Sequence, residues 1–282
     1  MRFAVQYALC LWCLAAILPV YSADKQVNSE KDALAIAQSF TQQNGWTFPG
    51  IPYPVADKDD HNYPLWRVGA CTKESDQMHV VSVWIDRASG QVTSGINSLL
   101  GIPPPPEQPQ ISLQQAEAIA RKVVTIAGVS LDAFKLQASN PKPGKISYWS
   151  LTFWRMYGQY RFYHDAISFM IGASDGVVST FSISNRSPLP TSTTVTVKQT
   201  DAEATAKQYL TAHQIAVDRI ALEGLFIVQP NGSFEHWDER VPYTSSRLAW
   251  VIRYYKLNGG GHSSEAWVDA ETGDVIGGWK AY

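Results

Sequence analysis

The stretch AWVDAETGDVIGG at residues 266–278 decides the fold, because it encodes either a ligand site or a turn. Two aspartates, a glutamate and a threonine fall within six residues, which is compatible with a metal loop or a catalytic acid cluster. The same residues suit a hairpin turn, since aspartate accepts backbone N–H bonds across a turn and glycine supplies a positive φ. Related stretches elsewhere in the chain separate these interpretations.

The stretch recurs twice, as VWIDRASGQVTSGI at 83–96 and as FMIGASDGVVSTFSI at 169–183. The matching positions are glycines and, in two copies, an aspartate: Asp86, Gly90, Gly172, Gly176, Asp269 and Gly273. A metal site would not lose its carboxylate in one copy, and the spacing misses the D-x-[DN]-x-[DN]-G calcium loop. The sequence therefore predicts three hairpin turns at these positions and no metal site.

A helical pattern precedes each turn at a similar offset. DALAIAQSF (32–40), QAEAIARKV (115–123) and DAEATAKQY (201–209) align without gaps, with apolar residues mostly at i, i+3, i+4 and i+7. Aromatic-rich alternation typical of strands follows. Each unit thus reads helix, strand, strand, turn, strand, and the predicted fold class is α+β: three tandem units, each a helix packed on a small antiparallel sheet.

Composition shifts set the unit boundaries. The proline-rich stretch 101–109 and the weaker stretch 187–194 are predicted linkers. They separate units at 24–100, 110–186 and 195–282. The third unit carries an insertion near 229–246, which is expected to form an exposed loop.

The N-terminus resembles a secretory signal peptide, residues 1–23, because Arg2 precedes an apolar run that ends in small residues. Cleavage near 22–23 is expected; an uncleaved membrane anchor is the alternative, since the run approaches the length needed to span. Cys10 and Cys13 would leave with this segment, and the remaining Cys71 is interpreted as a buried small hydrophobe. The expected protein is secreted, periplasmic or part of the cell envelope, without stable membrane insertion after cleavage.

Net charge and motifs favour a binding protein over an enzyme. Lys and Arg number 23 against 25 Asp and Glu, so no basic excess indicates nucleic acid. The chain has no H-E-x-x-H zinc helix, no G-x-S-x-G elbow and no phosphate loop. No catalytic residue, cofactor or metal is predicted. His79, His164 and His262 recur near the start of a second strand and are either ligand or pH-sensing positions or ordinary polar residues at a hairpin entrance.

The third unit, with AWVIRY (249–254) before AWVDAETGDVIGG, resembles the PepSY domain of peptidase propeptides. The second resembles the YcdB/YcdC repeat, through an aromatic strand ending near Gly158 and then Ile167, Ser168, Gly176, Val178 and Phe181. The resemblance implies small α+β modules outside the cytoplasm. Some of these inhibit proteases and help them fold, and others are suspected of binding envelope partners. It implies no catalytic residues.

The expected partner is therefore another extracytoplasmic protein, with a protease as one candidate. The β-hairpin of the second unit carries more aromatics than one core face could bury, so its side chains are predicted to be exposed anchors: Tyr157, Tyr160, Arg161 and Tyr163. The alternative is a glycan- or cell-wall-binding module that uses exposed aromatics, both tryptophan and tyrosine. The recurrent ones are most simply read as core: Trp66, Trp84, Trp149, Trp250 and Trp267.

Overall fold

The computed structural model describes residues 26–59, 63–74, 77–100, 110–139, 148–231, 245–255 and 263–279. The predicted signal peptide, the proline-rich linker at 101–109, His262 and most of the predicted loop at 229–246 lie outside these ranges. The described ranges contain three helices and twelve strands.

The chain is a mixed α+β structure in which a helix is followed by four strands, three times over. The first set is α1 (Glu30–Gln43), β1 (Tyr53–Lys58), β2 (Pro64–Glu74), β3 (Gln77–Asp86) and β4 (Val92–Leu100). The second is α2 (Leu113–Ile126), β5 (Phe134–Ser139), β6 (Tyr148–Tyr157), β7 (Tyr160–Gly172) and β8 (Val178–Ser184). The third is α3 (Gln199–Ala212), β9 (Arg219–Val228), β10 (Arg247–Tyr255), β11 (Ser263–Asp269) and β12 (Val275–Trp279).

Each set has one strand more than the sequence pattern predicts. The additional strands are β1, β5 and β9, which come directly after the helices. The β1 sequence YPVADK contains a proline and only one large aliphatic residue, and it pairs on one side alone. Edge strands tolerate such sequences because half of their backbone groups need no partner in the sheet.

The strands join into one 12-stranded sheet rather than three separate antiparallel sheets. The order is β1-β2-β3-β4-β8-β7-β9-β10-β11-β12, and β6 and β5 branch from β7. β4 pairs antiparallel with β8 through Ser94↔Ser182 and its neighbours. β7 pairs with β9 in parallel, at Arg161↔Phe226 and Phe162↔Ile227, which is the one parallel step among the described strands.

The helices bury their apolar faces against this sheet. α1 and α2 share one core with β2, β3, β6, β7 and β8, in which Phe40, Phe153 and Phe169 are fully buried. α3 builds a second core with β10 and β11. Side-chain caps begin the first two helices: Ser29 accepts from the Asp32 N–H, and Ser112 forms a capping box with Gln115. α3 begins after Lys198 without a side-chain cap.

Candidate partner-binding surface

The three recurring stretches form tight turns. Gly90, Gly176 and Gly273 have φ values of 72°, 73° and 83°, the region where glycine is favoured. Asp269 Oδ1 accepts from the N–H groups of Glu271 at 2.9 Å and Thr272 at 3.0 Å. Its Oδ2 accepts from Arg247 Nε at 2.8 Å. Both oxygens of the Asp269 carboxylate are therefore engaged by groups of the protein itself. The described residues contain no group of three His, Cys, Asp or Glu side chains that could hold a metal ion.

Each turn also fixes the start of a helix. Val197, two residues before α3, donates its N–H to the carbonyl of Ala270 in the turn at 3.0 Å, and its own carbonyl accepts from the Trp250 indole at 2.9 Å. The equivalent residues in the other sets make the same two bonds: Val27, Arg87 and Trp66, and Ile111, Ala173 and Trp149. The role of each turn is therefore structural, because it holds the start of a helix on the sheet.

The recurrent tryptophans offer little exposed platform for a glycan. Trp66, Trp149 and Trp267 are buried, and Trp84 and Trp250 are half-buried. Trp66, Trp149 and Trp250 direct the indole N–H at the carbonyls that precede the helices. Their packing is that of core residues whose polar end has a partner.

The face of β1–β8 opposite α1 and α2 is uncovered by any described helix, and it is called the open face. Cross-strand partners form one continuous row on it, in strand order: Val55, Arg67, Trp84, Ser94, Ser182, Ser168, Thr152 and Gln137. Arg67, Ser182 and Gln137 are exposed, while the other face of the same strands supplies the shared core. Side chains alternate along a strand, so this row points away from the core, and six of its eight side chains are polar, Val55 and Trp84 being the exceptions.

The four predicted anchors on the β6–β7 hairpin do not form one exposed patch. Tyr157 is 41% exposed, as expected. Tyr160 instead packs against Phe162 and residues of the third set, and Tyr163 is half-buried and donates its hydroxyl proton to Glu265 on β11. Neighbouring residues in a strand point to opposite faces, so Tyr160 and Arg161 separate. The prediction that all four are exposed is wrong, because β9–β12 dock against this hairpin.

A bulge in β7 creates this junction. Trp154 pairs with Ala166 and Met156 with Arg161, so residues 162–165 of β7 span a stretch in which β6 has only Arg155. Beyond the bulge, β7 changes its neighbour from β8 to β9. Bulges bend a strand and redirect its side chains in this manner.

The bulge carries a buried ion pair. Asp165 is fully buried, and its Oδ2 lies 2.6 Å from Arg155 Nη1. The Ser187 N–H and hydroxyl donate to the same carboxylate at 3.2 and 2.7 Å, respectively. Arg155 also donates to the carbonyls of Asn185 and Ser187. As neighbours on a strand, His164 and Asp165 are poorly placed to act together, and in the structure His164 is exposed while Asp165 is buried.

Arg161 lies on the other side of the bulge, against aromatic rings. Its guanidinium carbon is 4.0 Å from the centroid of the Trp154 ring and 4.7 Å from that of Phe226. Burial lowers the pKa of Arg161, while Tyr163 and Glu223 act in the opposite direction. Burial, reinforced by the hydrogen bond to Glu265, holds the pKa of Tyr163 well above its ordinary value.

The remaining sequence candidates show no shared site among the described residues. His79 lies 3.2 Å from the side-chain oxygen of Asn97, and the His164 ring meets the ring of Trp267 edge-on at 5.5 Å between centroids. Cys71, expected to be buried, is exposed. It stands four residues after Arg67 on β2 and therefore belongs to the open face, which no described apolar layer covers.

One part of the chain matches a known protein family. Residues 197–279 match the PepSY family, described as "Peptidase propeptide and YPEB domain". PepSY domains occur in extracytoplasmic proteins and are linked to protease propeptides or their regulation. No curated protein gives a significant match to the chain.

Among solved structures, the Bacillus megaterium YpeB C-terminal domain matches with 14% sequence identity and a TM-score of 0.45. The match covers 90% of this chain and 98% of that one. None of the described helices is long and apolar enough to cross a membrane.

Proposed function

We propose that the protein is a secreted, non-enzymatic PepSY-type protein that binds another extracytoplasmic protein, with a protease as the first candidate partner. The observation that carries this proposal is the open face. It is a broad sheet surface that no described helix covers, and the PepSY domain at 197–279 supplies the link to proteases.

The open face has the size and chemistry of a protein interface. Its row of eight partners spans about 34 Å at the usual strand spacing. Each partner contributes about 800 Å² to a standard interface, and a square patch of that area is about 28 Å on a side, so the row is wide enough for one. Arg67 and Trp84 are of the residue types enriched at interfaces. The hydroxyls farther along the row, such as that of the exposed Ser182, can pair with a partner's polar groups.

The two preceding helix-and-strand sets are proposed to be units of the same kind. Supporting this, all three sets share the element order and the two bonds by which a turn holds the start of its helix. The proposed units keep the boundaries 24–100, 110–186 and 195–282, with the second similar to the YcdB/YcdC repeat. Separate expression of 195–282 tests this: a cooperative unfolding transition supports a self-contained unit, and an unfolded product contradicts it.

Secretion is part of the proposal. Residues 1–23 are proposed to be removed on export, which would leave the protein in the periplasm, the cell envelope or the medium. The mass of the exported protein tests this, since a chain that begins near residue 23 is expected. A product that retains Met1 and sediments with membranes would contradict it.

Capture on the immobilised exported protein tests the partner. Ser182→Arg places a large charge at the centre of the open face, and Thr125→Arg makes the matched change at an exposed position on α2. A protein from the same organism's secretome should be retained by the wild type and by Thr125→Arg, and lost with Ser182→Arg. A protease among the retained proteins should change its activity when the pure protein is added. Retention of polysaccharide alone would replace the proposal with the glycan alternative.

A further inference from the structure

The guanidinium of Arg161 is a cation without a polar partner among the described residues. It stacks on the rings of Trp154 and Phe226, but it makes no hydrogen bond or ion pair with any residue in the described ranges. Glu223 acts on it electrostatically, yet the Glu223 carboxylate forms its ion pair with Arg253, at 3.3 Å. The donors of Arg161 are therefore unpaired within the described residues; Nε itself is buried, so the contact with a partner falls to the two terminal nitrogens.

Its neighbours keep it in place. The Trp154 indole donates to Gln137 Oε1 at 2.8 Å, which fixes the ring on which the guanidinium lies. Such stacking fixes the orientation of a planar fork whose donors match a carboxylate in a bidentate manner. The other arginines at this junction are already engaged, Arg155 by Asp165 and Arg253 by Glu223 and Glu265.

A second cation stands beside the same ring. Lys135 on β5 is the direct cross-strand partner of Trp154 and is exposed, and it forms no ion pair with the described part of the chain. Cross-strand partners have Cβ atoms about 5 Å apart. Lys135, Trp154 and Arg161 are called the Trp154 site: an indole flanked by two cations whose charges are not neutralised by ion pairs with described residues.

We infer that the Trp154 site binds a carboxylate on an acidic segment of the protein partner. This inference rests on the proposed function and adds the chemistry of the contact. Arg161 would bind the carboxylate in the charge-assisted, bidentate geometry typical of arginine, with Lys135 as a further positive charge. The proposed ligand is a carboxylate because its two oxygens match the planar fork of the guanidinium.

Two labelled peptides test the inference on the exported protein. Fluorescence anisotropy compares a fluorescein-labelled Gly-Glu-Gly-Glu-Gly-Glu peptide with its glutamine counterpart, and the glutamate peptide should bind more tightly. Arg161→Gln should weaken its binding about tenfold or more, the range of a hydrogen bond to a charged group. Arg161→Lys should fall between, since it keeps charge but loses the fork. Arg121→Gln, on α2, is the control and should change nothing.

Lys135→Glu is the decisive variant because it leaves the stacked arginine untouched. It should abolish the preference for the glutamate peptide while the melting temperature stays unchanged. Equal binding of both peptides to the wild type would overturn the inference, as would displacement by inorganic phosphate at a lower concentration than by acetate. If secretome capture survives Arg161→Gln and Lys135→Glu unchanged, the acidic contact is wrong while the proposed function stands.

Discussion

The buried ion pair at the β7 bulge makes a quantitative stability prediction. Asp165→Asn keeps the shape of the side chain but removes its charge, so Arg155 faces an amide in place of the carboxylate 2.6 Å away. Removing one partner of a buried pair costs about 3–5 kcal/mol, because the other charge stays buried. The asparagine oxygen still accepts from Ser187, so the lower end, about 3 kcal/mol, is expected. For a chain of this size that lowers the melting temperature by about 6–12 °C.

An exposed ion pair of equal length is the control. Arg121 Nη2 and Glu117 Oε1 are also 2.6 Å apart, but their side chains are 49% and 29% exposed. Exposed pairs contribute about 0–1 kcal/mol, because water and salt screen them. Glu117→Gln should therefore change the free energy of unfolding by less than about 1 kcal/mol. Urea titration followed by circular dichroism gives both values, with the melting temperature as a second measure.

Equal losses for the two variants would refute the reasoning, since burial is the property by which it separates two ion pairs of the same length. An unchanged free energy in Asp165→Asn would do the same. A larger loss for Asp165→Asn that disappears in high salt would also count against it, because a dry pair is poorly screened.

Three further predictions concern single side chains. Gly273→Val should lower the free energy of unfolding by about 1–3 kcal/mol through its positive φ, and Gly273→Asn by less; equal effects in a urea titration would argue against backbone strain. Trp250→Phe leaves the Val197 carbonyl without its indole donor and should cost about 1–3 kcal/mol by the same measurement, whereas no loss would mean that the bond is dispensable. Because its pKa is raised, Tyr163 keeps its proton in the folded state at a pH where the unfolded chain has lost it, so stability should fall above about pH 10, by about 1.4 kcal/mol per pH unit. Tyr163→Phe should flatten that slope in a pH series of urea titrations, and an unchanged slope would contradict the assignment.

Local features of the fold could be predicted from the sequence because they depend on neighbouring residues. The helical patterns at 32–40, 115–123 and 201–209 fall inside α1, α2 and α3. The turn glycines with positive φ were recognisable because each lies four residues after the position that holds an aspartate in two copies and Gly172 in the other. Helices and turns are both determined by residues that lie close together in sequence, so a local pattern is enough to predict them.

The way the strands join could not be predicted in the same manner. β4 meets β8 through three register pairs and β7 meets β9 through two, which are few contacts between residues far apart in sequence. Strand alternation shows which face of a strand is buried but not which strand lies beside it. The bulge at 162–165 shifts that alternation. Aromatic residues of β7 that were predicted to be exposed, such as Tyr160, therefore pack against β9–β12.

The segment after β8 links the first two sets, whose strands form the open face. Arg186 pairs with Asp86 at 2.7 Å in the first turn and also with Asp59, while the next residue, Ser187, binds Asp165 in the bulge. Two adjacent residues thus tie the first turn to the bulge, on either side of the short β4–β8 pairing. Because β4–β8 alone rests on three register pairs, these charged bonds restrain the first two sets relative to each other. A partner bound on the open face, as proposed above, would then meet a preorganised surface across both sets, which lowers the entropy cost of binding.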